Sequence, residues 1–104
     1  MVDIVTSATF GLWLRKLKDR RAAARVLIRI DRLAAGNPGD VKPVGRGISE
    51  LHINYGPGYR VYFLREGDRL VLLLTGGDKS SQEADISAAH SIADTWRRTR
   101  GAHE

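Results

Sequence analysis

GISELHINYGPGYRVYFLREGDRLVLLLTGGDKSSQ, running from Gly47 to Gln82, decides the fold. Apolar residues recur with period 2 on both sides of Gly56-Pro57-Gly58, which marks two strands joined as a β-hairpin. A hairpin symmetric about that loop sets Tyr55 opposite Tyr59, Asn54 opposite Arg60, Ile53 opposite Val61, His52 opposite Tyr62 and Leu51 opposite Phe63. Leu51, Ile53, Tyr55, Tyr59, Val61 and Phe63 then share one face and pack on helices. Asn54, Arg60, His52 and Tyr62 share the other, with Glu50 nearby, and this second face is the candidate active site. A slip of one residue would exchange the faces and bury Arg60 unpaired, so apolar burial fixes which face is which.

Working outward, Gly67-Asp68 makes the next turn, and Leu70 to Leu74 is apolar on both faces, as expected of a strand covered on each side. It ends at Thr75-Gly76-Gly77-Asp78-Lys79. Ser80-Ser81-Gln82-Glu83 has the form of a capping box opening a last helix through about Arg98, with Ile86, Ala89, Ala93 and Trp96 as its apolar face. The polar tail 97–104 is expected to fray. On the other side, Val2 to Val5 reads as a short strand, and Thr6-Ser7 caps a helix from about Ala8 to Lys18. Phe10, Trp13, Leu14 and Leu17 form its buried stripe. A second helix from about Arg20 to Ala35 carries Ala23, Val26, Leu27, Ile30, Leu33 and Ala34 on one side and ends at Gly36-Asn37-Pro38-Gly39. The expected fold is α+β: two N-terminal helices packed on a small antiparallel sheet, with a C-terminal helix, in one domain spanning 1–104.

The chain has 104 residues, room for one modest core, and its 42% hydrophobic and 28% charged composition is that of a globular protein. It has no cysteine, and His52, His90 and His103 lack close metal-ligand spacing, so neither a metal nor another cofactor is expected. No apolar run reaches the ~20 residues of a membrane span and the start lacks a signal-peptide pattern, which predicts a cytoplasmic protein. The net charge is +5 and the pI about 10.1. Between Arg15 and Arg32 eight basic residues face two acidic ones, a local +6 that leaves the rest of the chain near −1. Arg21, Arg25, Arg29 and Arg32 recur at helical spacing along one side of the second helix. Such a stripe is either a solvated face or a contact for nucleic-acid phosphates or an acidic protein.

Cleavage of RNA by its own 2′-hydroxyl needs no metal, but it needs cations against the charge that builds on the phosphate. Arg60, with a planar fork of donors in the middle of the polar face, and Lys79, beside a helix N-terminus, are the expected cations. His52 carries an imidazole, a side-chain type that suits proton transfer; Tyr62 suits base stacking or the orientation of a proton donor, and Asn54 suits phosphate contact. A lone histidine or tyrosine on a strand is more often structural. Here the four polar side chains share a face whose identity hydrophobicity sets independently. Gly76-Gly77-Asp78-Lys79-Ser80 lacks the Gly-x-x-x-x-Gly-Lys-Ser/Thr spacing of a P-loop, which excludes that reading.

Gly56-Pro57-Gly58-Tyr59-Arg60-Val61-Tyr62-Phe63 and Gly76-Gly77-Asp78-Lys79-Ser80, with the basic helices and Gly36-Asn37-Pro38-Gly39-Asp40, resemble the RelE/ParE superfamily of bacterial toxin–antitoxin toxins, within it the HigB-like group of addiction module killer proteins. The resemblance covers nearly the whole chain. It implies the α/β fold already read, cleavage of mRNA on the ribosome, and neutralisation by a cognate antitoxin, usually a helix-turn-helix protein. It also implies active-site roles for Arg60 and Lys79. Where the group usually reads Glu-Leu-Arg this chain has Glu50-Leu51-His52, which either weakens phosphate binding or supplies a proton-transfer group. The favoured expectation is a type II toxin acting as a ribosome-dependent endoribonuclease (an mRNA interferase) through Arg60, Lys79, His52 and Tyr62, with Asn54, Arg21, Arg25, Arg29 and Arg32 binding RNA. The alternatives are a ParE-like inhibitor that binds DNA gyrase without cutting RNA, and a degenerate toxin that only binds its antitoxin.

Overall fold

The computed structural model describes residues 2–103, with side chains followed as far as residue 99. The elements run β1 (Asp3–Thr6), α1 (Ala8–Lys16), α2 (Arg20–Ala34), β2 (Val41–Pro43), β3 (Ile48–Ile53), β4 (Tyr59–Glu66), β5 (Leu70–Gly77), a 3-10 turn (Lys79–Ser81) and α3 (Gln82–His103). The sheet order is β1-β5-β4-β3-β2. Strands β2 to β5 are antiparallel neighbours, and β1 joins the β5 edge in parallel. This is the expected α+β architecture. Of the tail expected to fray, the backbone is helical through His103, while Glu104 and the side chains past residue 99 lie outside the described residues.

Each helix starts where the sequence supplies an acceptor for its free N–H groups. Ser7 Oγ accepts from the Phe10 N–H at 3.0 Å and donates to the Leu74 carbonyl at 2.7 Å, which fastens α1 to β5. The Asp19 carboxylate accepts from the Arg21 and Ala22 N–H groups at the start of α2. Asp78 accepts from the Ser80 N–H at 2.8 Å, so the last helical segment opens with a 3-10 turn capped by Asp78, in place of the expected capping box. Ser81 instead bonds forward to Asp85.

Helices α1 and α2 cover one face of the sheet. Phe10, Val26, Ile30 and Leu33 meet Leu51, Ile53, Val61, Phe63, Val71 and Leu73 there, with Trp13 and Leu14 packed against them. On the other face α3 lays Ala89 and Ala93, flanked by Ile86 and Trp96, over Ile48, Tyr62, Leu64, Leu72 and Leu74. Strand β5 is therefore apolar on both sides because both sides are covered. One expected core residue is not there: Leu27 is 48% exposed, because the buried positions Ala22, Ala23, Val26, Ile30 and Leu33 follow a stripe that leaves it about 100° away.

The hairpin keeps the predicted faces but not the predicted pairs. Ile53 lies opposite Tyr59, His52 opposite Arg60, Leu51 opposite Val61 and Glu50 opposite Tyr62. The loop is five residues, Asn54 to Gly58, closed by hydrogen bonds from Tyr55 N–H to Ile53 O and from Gly58 N–H to Tyr55 O. Gly56 and Gly58 take φ of 55° and 80°, values open to glycine. The pairing is offset by two residues from the symmetric expectation, and an even offset preserves which side chains share a face. Asn54 is the exception, since it leaves the strand for the loop. A short edge strand, Val41–Pro43, pairs with β3 and places Lys42 opposite Glu50.

Candidate functional site

The polar face of the hairpin holds Glu50, His52, Arg60 and Tyr62, and α3 roofs its inner half. His52 and Arg60 converge. A Cβ built on Gly58 would stand 3.6 Å from Arg60 Nη1 and 3.6 Å from His52 Nε2, so both nitrogens border the same small space over a residue with no side chain. Arg60 Nη1 also donates to the Gly58 carbonyl at 2.8 Å, which fixes the guanidinium against the loop. His52 Nδ1 lies 3.1 Å from Asp40 Oδ2. With Nδ1–H donated to that carboxylate, Nε2 presents its lone pair toward the shared space. Asp40 was not singled out in the sequence as a site residue, because it lies in a loop twelve residues away.

Behind this pair the site is buried. Glu50 is 4% exposed; its Oε2 accepts from Gln82 Nε2 at 2.9 Å and its Oε1 lies 3.5 Å from Arg60 Nε. That last distance makes an ion pair without a hydrogen bond, and Arg60 Nε is buried with no hydrogen-bond partner. The hydroxyl of Tyr62 is likewise buried and meets no partner in strict hydrogen-bond geometry, although the Glu50 carboxylate stands beside it. Burial, then the charge of Glu50 and its contact with the hydroxyl, then the charge of Asp85, push this phenol far above its ordinary value of 10, with Arg60 opposing weakly, so it stays protonated at any physiological pH. Base stacking on Tyr62, one of the two roles expected from sequence, has no open ring face available because the residue is 0% exposed. The end of β5 is glycine for a physical reason. A Cβ on Gly77 would collide with the Asp85 carboxylate and one on Gly76 with the Trp13 ring, so the pair lets α3 and α1 close on opposite faces of one strand.

Lys79 stands exposed in the 3-10 turn two residues beyond Gly77, the β5 partner of Arg60. Beside it, Ser80's hydroxyl and N–H hold the Asp78 carboxylate below its ordinary value, and Arg60 adds a smaller pull in the same direction. Lys79 and Arg60 thus come from neighbouring strand ends at one edge of the polar face. The remaining expected RNA contacts fall elsewhere. Arg21, Arg25, Arg29 and Arg32 belong to α2, which packs on the opposite face of the sheet. Arg29 donates to the His52 carbonyl at 2.7 Å and to the Pro38 carbonyl at 2.9 Å, and Arg25 stacks over the Tyr55 ring at 4.6 Å. Asn54 joins them in a pocket of about 300 Å³.

His90 Nε2 lies 3.1 Å from the Val44 carbonyl and serves the packing of α3. Among the described residues no three His, Asp or Glu side chains form a group able to hold a metal ion. No helix among them is long and apolar enough to cross a membrane.

A protein of Haemophilus influenzae (strain ATCC 51907 / DSM 11121 / KW20 / Rd), described as uncharacterised, is 51% identical over 92 residues, which is 88% of this chain and 93% of that protein. Residues 12–96, from α1 through Trp96 of α3 and including the whole polar face of the hairpin, match the family described as "Phage derived protein Gp49-like (DUF891)", and the chain belongs to that family.

Proposed function

We propose that this chain is the toxin of a type II toxin–antitoxin module and that it cleaves mRNA on the ribosome. The Gp49-like family is toxin-like and related to addiction modules, which supports the toxin part. The observation that carries the reaction is the convergence of His52 Nε2 and Arg60 Nη1 over Gly58. A phosphodiester lowered into that space meets a proton acceptor and a guanidinium together.

In this reading His52 Nε2 takes the proton from the 2′-hydroxyl as its oxygen attacks the adjacent phosphorus, and Asp40 steadies the imidazolium that results. Arg60 and Lys79 offset the charge developing on the non-bridging oxygens. The P–O5′ bond breaks, the 5′ oxygen of the next nucleotide takes a proton from solvent water while the His52 imidazolium returns its proton to solvent, and the products are a 2′,3′-cyclic phosphate and a 5′-hydroxyl. Glu50 holds Arg60 from behind, with Gln82 holding Glu50 in turn. Tyr62 keeps its proton and walls the back of the site.

The test is primer extension on cellular mRNA after brief induction of the wild type, His52→Gln and Arg60→Lys. Arg60→Lys is the sharper variant because Arg60→Ala strands the buried Glu50, and removing one partner of a buried ion pair costs about 3–5 kcal/mol. New ends within codons for the wild type, lost in a folded Arg60→Lys, support the reading. Intact mRNA with arrested growth contradicts it and turns attention to gyrase supercoiling; intact mRNA with normal growth leaves an antitoxin-binding protein without catalysis.

A further inference from the structure

The outer face of α2 is the surface that the reaction does not use. Arg21, Arg25, Ile28 and Arg32 recur at four, three and four residues, so they lie in one stripe along the helix. Ile28 is 51% exposed and its neighbour Leu27 is 48% exposed, two of the three large apolar side chains most exposed to solvent among the described residues. The stripe borders the pocket of about 300 Å³ lined by Arg25, Ile28, Arg29, Arg32, Ile53 and Asn54. Its cations are held in place from below: Arg29 by the carbonyls of His52 and Pro38, and Arg25 by the Tyr55 ring.

We infer that this groove docks an acidic amphipathic helix of a protein partner, with an apolar side chain seated on Ile28 and carboxylates over Arg25 and Arg32. Charge complementarity names the occupant. Two cations seven residues apart stand about 10 Å apart along a helix, two turns, and the apolar residue lies between them. A matching helix therefore carries acidic residues seven apart with an aliphatic residue three or four positions into that interval, close to the heptad spacing by which helices pack. A single-stranded RNA fits less well. The one aromatic ring beside the groove, Tyr55, is already covered by Arg25, which removes a stacking platform, and exposed isoleucine and leucine between arginines offer nothing to a phosphate chain. The surface lies across the sheet from the Arg60 side chain, so a partner seated here leaves the polar face of the hairpin uncovered. The inference needs a protein partner but not the reaction proposed above.

The test titrates the full chain into a fluorescein-labelled stapled helical peptide with glutamates seven residues apart and leucine between, read by anisotropy. The control peptide has glutamine in place of glutamate, and a labelled single-stranded RNA oligonucleotide is run in parallel. The expected result is binding of the glutamate peptide at least ~10-fold tighter than the glutamine peptide, weakened on the order of 10-fold by Ile28→Glu and by Arg25→Ala with Arg32→Ala. Ile28 is half exposed, so Ile28→Glu keeps the fold; RNA cutting by that variant, measured beside it, separates loss of the groove from loss of the reaction. Equal affinity for the two peptides, or indifference to Ile28→Glu, overturns the inference. RNA binding that depends on Arg25 and Arg32 but not on Ile28 overturns it too and assigns the groove to nucleic acid.

Discussion

At the scale of single residues, the polar face works by support from behind. Arg60 is aimed by one backbone carbonyl and one buried carboxylate, and His52 by Asp40. Asp40→Asn removes the carboxylate that stabilises a protonated His52 and frees the ring to take the other tautomer. Because Asp40 is largely exposed, the expected loss in cleavage rate is modest, on the order of 10-fold, with unchanged circular dichroism. Tyr62→Phe removes a buried hydroxyl whose one polar neighbour, the Glu50 carboxylate, is not met in strict hydrogen-bond geometry and keeps its bond from Gln82, so the expected change in stability at neutral pH is under about 1 kcal/mol. The pH dependence has a definite sign. A phenol raised above 10 in the folded state contributes stability that is complete below pH 10 and is lost as pH rises toward the folded value. Denaturant unfolding of wild type and Tyr62→Phe should therefore diverge above about pH 10, with the phenylalanine variant the more stable; parallel curves would contradict the burial argument.

At the scale of elements, strand faces were legible in the sequence because burial has period 2, and strand pairs were not, because pairing depends on loop geometry. Leu51, Ile53, Val61 and Phe63 were assigned to the core face correctly while each lay opposite a different partner than expected. The three-residue β2, with Pro43 at a sheet edge, gave too short a pattern to read. The Asp78 cap was hidden behind a better-known motif two residues on. Other signals were present but carried no meaning until the helices were in place. The Gly76-Gly77 pair is the best of them, since its reason is the approach of Trp13 and Asp85 to opposite sides of β5. Gly77→Ala drives a methyl into the Asp85 carboxylate and should destabilise by about 1–3 kcal/mol, seen as a lower Tm, more than Gly11→Ala, whose Cβ meets only the end of Arg15 at 3.4 Å and Thr6 at 3.8 Å. Asp19→Ala should cost about 1 kcal/mol through loss of the α2 cap.

At the scale of the whole molecule, the concentrated charge and the candidate site part company. The net +5 concentrates in α1 and α2, on one face of the sheet, while Arg60, His52 and Glu50 lie on the other. In the sequence a basic stripe and a basic site share one electrostatic signature, and only the layer order separates them. Purified protein should be mixed with ribosomes stalled on a defined mRNA, and the ends of the fragments identified. The account predicts a 2′,3′-cyclic phosphate and a 5′-hydroxyl, formed by the wild type and at least ~100-fold more slowly by His52→Gln and Arg60→Lys. A 3′-hydroxyl with a 5′-phosphate, or cutting that both variants retain in full, would contradict it.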